Sequence, residues 1–191
     1  MRRANKGYDF GSWAVGLELY PAARKADYTI LTNDSMAGPF APIDDIVFDF
    51  EVEGADLWGV TFSNQIAPHV QSYFLGFSGG TLAKRPWRPF FRGVRHYEEK
   101  MEYVLRYELA TLRLANEYGL SWNVRHRPEE LGVGETNPTL FGWQELLDLG
   151  VPFVKRTILK EPGVAPEGYT IRDTVRARYG VDLDEWVEEA E

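Results

Sequence analysis

Short β-rich runs alternate with helical segments along most of the chain, and this alternation limits the folds open to it. Apolar residues recur at helical spacing in residues 9–24, 43–53, 97–118 and 139–149. Strand-like composition is found in residues 28–32, 56–61, 69–77 and 152–158. Strands that alternate with helices are typical of a parallel sheet covered by helices. We therefore predict an α/β fold with a mainly parallel sheet flanked by helices, in which residues 28–77 form the floor of a polar cleft.

The length and composition support one compact domain. The chain has 191 residues, of which 44% are hydrophobic, and this is enough for a single core. We predict that residues 1–162 form this domain. Residues 163–191 are rich in charge and predict short helices in a peripheral tail.

Net charge and residue content exclude several classes of protein. A formal net charge of -8 argues against nucleic-acid binding, and the absence of cysteine excludes disulfides and thiolate metal sites. No apolar run follows the basic start, so a signal peptide is not supported, and no stretch approaches the roughly 20 apolar residues of a membrane span. We expect a cytoplasmic protein, either soluble or peripheral to the inner face of the membrane.

A polar motif follows the first predicted strand. Asn33, Asp34 and Ser35 come just beyond residues 28–32, where α/β proteins usually place ligand sites. A carboxylate at this position can hold a divalent cation, and we predict Mg²⁺ or Mn²⁺ at Asp34. The competing interpretation is that Asp34 only caps a turn, because all three residue types favour turns.

Glu108 is out of pattern in the longest helical segment. If residues 97–118 form one helix, Glu108 lies in the middle of an apolar stripe. That stripe consists of Met101, Val104, Leu105, Leu112 and Ala115. A carboxylate among apolar residues suits a group that accepts a proton from a hydroxyl near neutral pH, so we predict a general base. The alternative is a salt-bridged or edge-exposed glutamate.

Two further groups of polar residues are candidates for ligand binding. Lys155 and Arg156 follow an apolar run and could neutralise an anionic leaving group such as a diphosphate. His69, Gln71 and Tyr73 would share one face of a strand and could line one pocket. The alternatives are an ordinary solvated basic pair and a structural histidine.

Four blocks of sequence, in order, resemble the rhamnan synthesis protein F family of glycosyltransferases. They are NKGYDFGSW (5–13), LTNDSMAGP (31–39), HVQSYFL (69–75) and NPTLF (137–141), the last continuing to PFVKR (152–156). The pair Tyr107 and Glu108 also matches a Tyr-Glu pair of that family. Together the blocks are specific, although each is short.

The resemblance implies an inverting glycosyltransferase. It would transfer a deoxyhexose, typically rhamnose, from a nucleotide sugar similar to dTDP-rhamnose to a saccharide or lipid-linked glycan of a cell-surface polysaccharide. It also implies a GT-A-like nucleotide-diphospho-sugar domain, in which a helix that carries Asn5 and Asp9 precedes the strand ending at Asn33. The resemblance adds Asn5, Asp9 and Asn137 to the predicted substrate-binding residues.

The chain departs from this resemblance at its start. Strands that bind the base and ribose normally precede the Asn-x-Gly helix, and here the sequence begins at that helix. We therefore expect an N-terminally truncated domain that a partner chain could complete. The alternatives are a non-catalytic carbohydrate-binding or partner-dependent remnant of such an enzyme, and a metal-dependent hydrolase that uses Asp34.

Overall fold

The structure is a computed structural model that describes residues 7–186, apart from the side chain of Glu185. Its strands are β1 (Tyr28–Thr32), β2 (Met36–Ala37), β3 (Leu57–Ser63), β4 (His69–Val70), β5 (Phe74–Ser78), β6 (Trp122–His126) and β7 (Val154–Lys155). Its α-helices are α1 (Tyr8–Leu19), α2 (Pro21–Lys25), α3 (Asp44–Glu53), α4 (Trp87–Arg92), α5 (Lys100–Tyr103), α6 (Leu109–Glu117), α7 (Pro138–Phe141), α8 (Trp143–Asp148), α9 (Arg156–Lys160) and α10 (Ile171–Tyr179). A π-helical turn (Val104–Glu108) joins α5 to α6, and 3-10 turns lie at Thr81–Ala83, Pro162–Val164, Gly168–Thr170 and Leu183–Trp186.

Strand β3 lies at the centre of the main sheet. It pairs antiparallel with β5, which in turn pairs antiparallel with β1. Strand β4 pairs antiparallel with the carboxyl end of β3, and β6 pairs parallel with β3. The short strands β2 and β7 form a separate antiparallel pair.

The sheet is mixed and mostly antiparallel, so the prediction of a mainly parallel sheet is wrong. Residues 69–77 form two strands, β4 and β5, with a turn at Ser72 and Tyr73 between them. The loop from β3 to β4 is too short for the helical crossover that parallel neighbours need, so β4 folds back on β3. Because β1 and β3 both run antiparallel to β5, the strands β1, β3 and β6 still point in one direction. Their carboxyl ends therefore lie at one edge of the sheet.

Residues 123–135 are polar and contain Pro128, Gly132 and Gly134, a composition that predicts a surface loop, but β6 occupies the start of this stretch. Arg125 of this strand forms an ion pair, since its Nη1 lies 2.8 Å from Asp49 Oδ2 of α3. His126, which the sequence suggests to be a surface residue, is buried opposite Thr61 of β3. A strand with polar residues on both faces lacks the apolar alternation that sequence patterns detect.

The alternation of β5 divides the apolar core into two clusters. Leu75 and Phe77 pack with α1, α4, α5 and α6, whereas Phe74 packs with α3 and α8. Gly76 allows α3 to approach the sheet, because a Cβ atom at this position would lie 2.7 Å from the ring of Phe50. The helices therefore cover both faces of the sheet, as the α/β prediction requires.

The helix predicted over residues 97–118 has three parts, α5, the π turn and α6. A π turn contains more residues than an α turn, so it changes which side chains face the core. Tyr103, Tyr107 and Leu112 are buried, whereas Met101 and Leu105 are 52% and 47% exposed. The predicted apolar stripe is therefore wrong at Met101 and Leu105.

The described part of the predicted tail packs on the domain. Ile171, Val175 and Leu183 are buried in a third cluster with Trp143 and Leu147 of α8. Trp143 Nε1 also donates a hydrogen bond to Pro166 O at 2.8 Å. Residues 163–186 thus contribute apolar side chains to the core.

Candidate functional site

A polar cavity of about 260 Å³ lies beside the carboxyl ends of β1 and β3. Its walls come from α1, the segment after β1, the loops before and after β4, α5 with the π turn, the cap of α7, and β7. This is the edge of the sheet at which the sequence predicts a ligand site. Strands that point in one direction bring their polar ends together there.

Nine of the twelve predicted site residues line this cavity. They are Asp9, Asn33, Ser35, His69, Gln71, Tyr73, Glu108, Asn137 and Lys155. Asp34 is exposed and is not part of the lining. Arg156 also lies outside the lining, because its guanidinium donates hydrogen bonds to Trp186 O at 2.8 Å and to Met36 O at 3.4 Å. Asn5 lies outside the described residues.

Helix α1 brings Asp9 to the end of β1. Trp13 Nε1 donates to Thr32 O at 2.9 Å, and Asn33 Nδ2 donates to Asp9 Oδ2 at 3.0 Å. Asn33 Oδ1 accepts from the backbone N of Ser35 at 3.0 Å and from its Oγ at 2.6 Å, which closes the turn after β1. Polar side chains at the strand end are thus held in fixed orientations.

Asp9 is an unusual carboxyl group. Burial raises the pKa of Asp9 from its ordinary value of 3.8 to about 6, and the negative charges of Asp34 and Glu108 act in the same direction. The positive charge of Lys100 and the hydrogen bond from Asn33 oppose this rise. A carboxyl with this pKa can exchange a proton near neutral pH.

Glu108 ends the π turn and faces the cavity. Its Oε1 accepts hydrogen bonds from the backbone N of Ser72 at 2.9 Å and from Ser72 Oγ at 2.8 Å. Among residues 7–186, no group forms a hydrogen bond with Oε2 of Glu108. The carboxylate is therefore oriented by one oxygen, while the other is available to a ligand. π turns of this kind occur frequently at functional sites.

A chain of hydrogen bonds connects the cavity wall between β3 and α7. Thr61 Oγ1 donates to Gln71 Oε1 at 2.7 Å, and Gln71 Nε2 donates to Asn137 Oδ1 at 3.2 Å. Asn137 also caps α7 by accepting from the backbone N of Thr139 at 3.1 Å. Burial raises the pKa of Tyr73 well above its usual range, so its phenol keeps its proton.

His69, Gln71 and Tyr73 line the cavity for a different reason from the one predicted. Only His69 is in a strand, so the three side chains do not share a strand face. The turn after β4 directs them to one cavity instead. His69 Nδ1 lies 2.8 Å from Ala67 O, and because a carbonyl oxygen can only accept, Nδ1 donates this hydrogen bond.

Two lysines supply positive charge to the cavity. Lys155 is partly buried on β7, and Lys100 begins α5. Burial lowers the pKa of Lys155, the charge of Lys100 acts in the same direction, and Glu108 opposes it. In the described part of the chain, neither lysine lies within ion-pair distance of a carboxylate. Two cations in one cavity without ion pairs favour an anionic ligand.

Two bulky residues with positive φ border the site. Tyr8 has φ 48° and Ile66 has φ 69°, a region that such side chains rarely adopt. Ile66 lines the main cavity, and Tyr8 lines an adjoining hollow of about 60 Å³ that Asp9, Ser72 and Glu108 share. Strained backbone of this kind concentrates at functional sites.

The carboxylates do not form a complete metal site by themselves. Across residues 7–186, no cluster of three or more His, Asp or Glu side chains is arranged to hold a metal ion. A cation at Asp34 would therefore need oxygen ligands from a bound phosphate group, as Mg²⁺ often has.

Sequence reasoning missed three polar residues of the cavity, Gln65, Ser72 and Lys100. Ser72 lies within the block 69–75, but the prediction of a single strand placed its side chain on the opposite face. Lys100 follows Glu98 and Glu99 in a charged stretch that offers no apolar periodicity from which its orientation could be predicted. The loop before β4, the turn after β4 and the start of α5 bring these three residues to the site.

The fold and the cavity define a mixed α/β protein with one polar site that carries both carboxylates and lysines. The model of the family Rhamnan synthesis protein F matches residues 1–185, and the chain belongs to this family. The resemblance seen in the four sequence blocks is thereby confirmed.

Curated relatives agree with this assignment. Virulence protein VirA of Vibrio anguillarum is 29% identical over 201 residues, which cover 88% of this chain and 64% of the relative. Uncharacterized protein y4gN of Sinorhizobium fredii is 24% identical over 136 residues, which cover 69% of this chain and 36% of the relative. The chain thus spans less than two thirds of the length of these relatives. No solved structure matches the chain significantly.

Within residues 7–186, no helix is both long enough and apolar enough to cross a bilayer.

Proposed function

We propose that this chain carries the catalytic site of an inverting glycosyltransferase. It would transfer a deoxyhexose, with rhamnose as the first candidate, from a nucleotide diphosphate to a saccharide or lipid-linked glycan. The observation that carries the proposal is one cavity that contains an oriented carboxylate, Glu108, and a partly buried lysine, Lys155. Glycosyl transfer needs a base for the acceptor and positive charge for the leaving group. The family's description as a rhamnan synthesis protein supports the same class of reaction.

Glu108 is the proposed general base. Its Oε2 takes the proton of the acceptor hydroxyl while the hydroxyl oxygen attacks the anomeric carbon of the donor sugar. The bond from that carbon to the diphosphate oxygen breaks, and its electron pair leaves with the diphosphate. Attack from the face opposite to the leaving group inverts the configuration of the anomeric carbon. Ser72 holds the carboxylate through Oε1, so its orientation does not depend on the substrate.

The diphosphate is assigned to the lysine side of the cavity. Lys155 and Lys100 would neutralise the charge that develops as the donor bond breaks. Arg156, predicted for the same role, has hydrogen bonds with Trp186 and Met36, so it would have to exchange them for a phosphate. A divalent cation at Asp34 stays a separate proposal, because it requires phosphate oxygens to complete its ligands.

The sugar is assigned to the wall formed by His69, Gln71, Tyr73 and Asn137. This wall offers amide, phenol and imidazole groups, which can bind sugar hydroxyls in both donor and acceptor roles. At about 260 Å³, the cavity is slightly smaller than typical ligand pockets, which have about 300–1,000 Å³. It therefore fits the sugar and phosphate end of a donor better than a complete nucleotide sugar. A GT-A-like arrangement, with the nucleoside bound by further strands or by a partner chain, is part of this proposal.

The test combines a binding screen with one isosteric variant. Nucleotide sugars are screened by thermal shift, because a bound donor raises the melting temperature. Glu108→Gln is then assayed for transfer with each donor that binds. The amide oxygen can still accept from Ser72, so the fold should be retained, whereas kcat should fall by about 100- to 10,000-fold. Ser78→Ala serves as a control, because Ser78 bonds to Gly54 O outside the cavity.

Each outcome separates the proposal from its alternatives. Near-normal turnover by Glu108→Gln would remove Glu108 from the mechanism. Saccharide binding without release of nucleotide diphosphate would identify a carbohydrate-binding module instead. Activity that appears only with a co-purified chain would identify a partner-dependent subunit.

A further inference from the structure

A second concave surface carries positive charge and shares no residue with the polar cavity. It is a groove of about 400 Å³ lined by Ala83, Lys84, Arg85, Arg88, Pro89 and Arg92. Four of these six residues are cations and none is an acid. We call this surface the basic groove.

The charge of the basic groove stands out against the rest of the chain. Five of the 21 Lys and Arg residues lie between Lys84 and Arg95, a stretch without Asp or Glu, although the formal net charge of the chain is -8. A local excess of one charge on a protein of opposite net charge is a feature that directs binding.

The two central arginines are free to bind a ligand. Arg85 and Arg88 are exposed, and within residues 7–186 their side chains form no hydrogen bond or ion pair. At the rim, Lys84 Nζ donates to Gly79 O at 3.3 Å, and Arg92 Nε lies 3.6 Å from Glu18 Oε1. Lys84 and Arg92 at the rim therefore contact other parts of the protein, whereas Arg85 and Arg88 have no side-chain partner among residues 7–186.

Exposed apolar side chains lie next to the basic groove. The contact between Arg92 and Glu18 brings the end of α1 against α4, and the next residues, Leu19 and Tyr20, are 52% and 65% exposed. Helix α2 is held against the start of the groove by the hydrogen bond from Gly80 N to Ala26 O at 3.1 Å. Cations and exposed apolar groups thus share one surface.

We propose that the basic groove docks on a bilayer with anionic phospholipids. Phosphates of the headgroups bind Arg85 and Arg88, while Leu19 and Tyr20 enter the interfacial region, as apolar and aromatic side chains do. A nucleic acid would meet the same cations, but it has no apolar interior that an exposed leucine could enter. This surface would hold the protein at the membrane whether or not the proposed transfer reaction is correct.

Vesicle sedimentation tests the proposal. The full chain is mixed with vesicles of phosphatidylcholine alone, or of phosphatidylcholine with phosphatidylglycerol. We expect binding to the anionic vesicles only, and weaker binding as salt screens the charges. At roughly fivefold in partitioning for each basic residue, Arg85→Gln with Arg88→Gln should lower binding about 25-fold. Arg113→Gln with Lys160→Gln removes the same charge from exposed positions elsewhere and should change binding less than about twofold.

Two further measurements make the result decisive. Leu19→Ser with Tyr20→Ser should reduce the binding that remains at high salt, because that part depends on the apolar side chains. Equal losses in both pairs of cation variants would mean general electrostatic attraction and overturn the proposal. Binding to RNA but not to anionic vesicles would also overturn it. Circular dichroism of each variant checks that the fold is intact.

Discussion

The two halves of the helix that runs from Lys100 to Glu117 have opposite tasks. The first half, with the π turn, presents Lys100, Val104 and Glu108 to the polar cavity. The second half buries Ala110, Leu112 and Ala115 in the core. One segment of chain therefore supplies both a site wall and a core element, and the π turn separates the two functions.

The difference between the two halves of the helix shows how a polar side chain can be placed beside an apolar core. In a regular α-helix, side chains four residues apart stay on one face. Lys100, Val104 and Glu108 follow this spacing and line the cavity. Leu112, four residues after Glu108, is instead buried in the core, because the wider π turn changes which side chains face it. The comparison predicts that changes on the cavity face of the first half affect ligand binding, and that changes at the buried positions of the second half affect stability.

The largest effect on stability is expected from Leu112→Ala. Leu112 is 4% exposed in the core, so its truncation should lower the free energy of unfolding by about 3 kcal/mol. Leu105→Ala makes the same chemical change in the first half, where the side chain is 47% exposed, and should cost less than about 0.5 kcal/mol. Urea denaturation measures both. Similar losses for the two variants would contradict the division of the helix.

Lys155→Met should move binding and stability in opposite directions. A charge-assisted contact to a diphosphate contributes about 1.5–3 kcal/mol, so nucleoside diphosphate affinity should fall by roughly 10- to 100-fold. Stability should rise, because a partly buried cation is removed.

The pH dependence of this gain follows from the lowered pKa of Lys155. Below the folded-state pKa the buried lysine is charged and unfavourable, and above its ordinary value of 10.5 it is neutral in both states. The stabilisation by methionine should therefore be greatest at neutral pH and vanish near pH 10.5.

Lys160→Met, at an exposed position on α9, is the control for both measurements. Equal effects of both variants on diphosphate affinity would exclude Lys155 from the anion site.

The helices and the location of the site can be predicted from the amino-acid sequence more accurately than the sheet. Helix α3 and strand β1 lie where periodicity and composition predict them, because each has strong local signals. The direction of β5 depends on a turn at Ser72 and Tyr73, which the β-rich composition of residues 69–77 conceals. Strand β6 depends on its pairing with β3, in which Trp122 lies opposite Leu57, 65 residues earlier, a contact that no local pattern records.

The same limits apply to the site. Asn33 and Ser35 could be predicted because they follow β1, and ligand sites commonly lie just beyond the carboxyl ends of strands. Ser72 and Lys100 could not be found in this way, since one depends on a turn and the other on the start of a helix.

Asp9→Asn should stabilise the protein at high pH. The folded-state pKa of Asp9 is raised from 3.8 to about 6, so burying its charge costs stability as the pH rises through this range. The gain on replacement should be near zero at pH 4 and about 1–2 kcal/mol at pH 8, after allowance for solvent screening and the loss of a helix-dipole contact. Asp173 lies in the first turn of α10, as Asp9 lies in the first turn of α1, but its side chain is exposed. Asp173→Asn should therefore give no such pH-dependent gain in stability. Urea denaturation at the two pH values measures the difference.

The smallest effect is expected from Asp34→Ala. Asp34 is exposed and outside the cavity lining, so the free energy of unfolding should change by less than about 0.5 kcal/mol. A cation between this carboxylate and a diphosphate would make only a solvent-screened contact with the protein. Mn²⁺ should therefore raise nucleoside diphosphate affinity in the wild type, and Asp34→Ala should reduce that increase by about 1.5- to 5-fold. Calorimetric titration with and without Mn²⁺ measures the increase. An identical response of both proteins would remove Asp34 as a metal ligand, and it would leave the anion site to the two lysines.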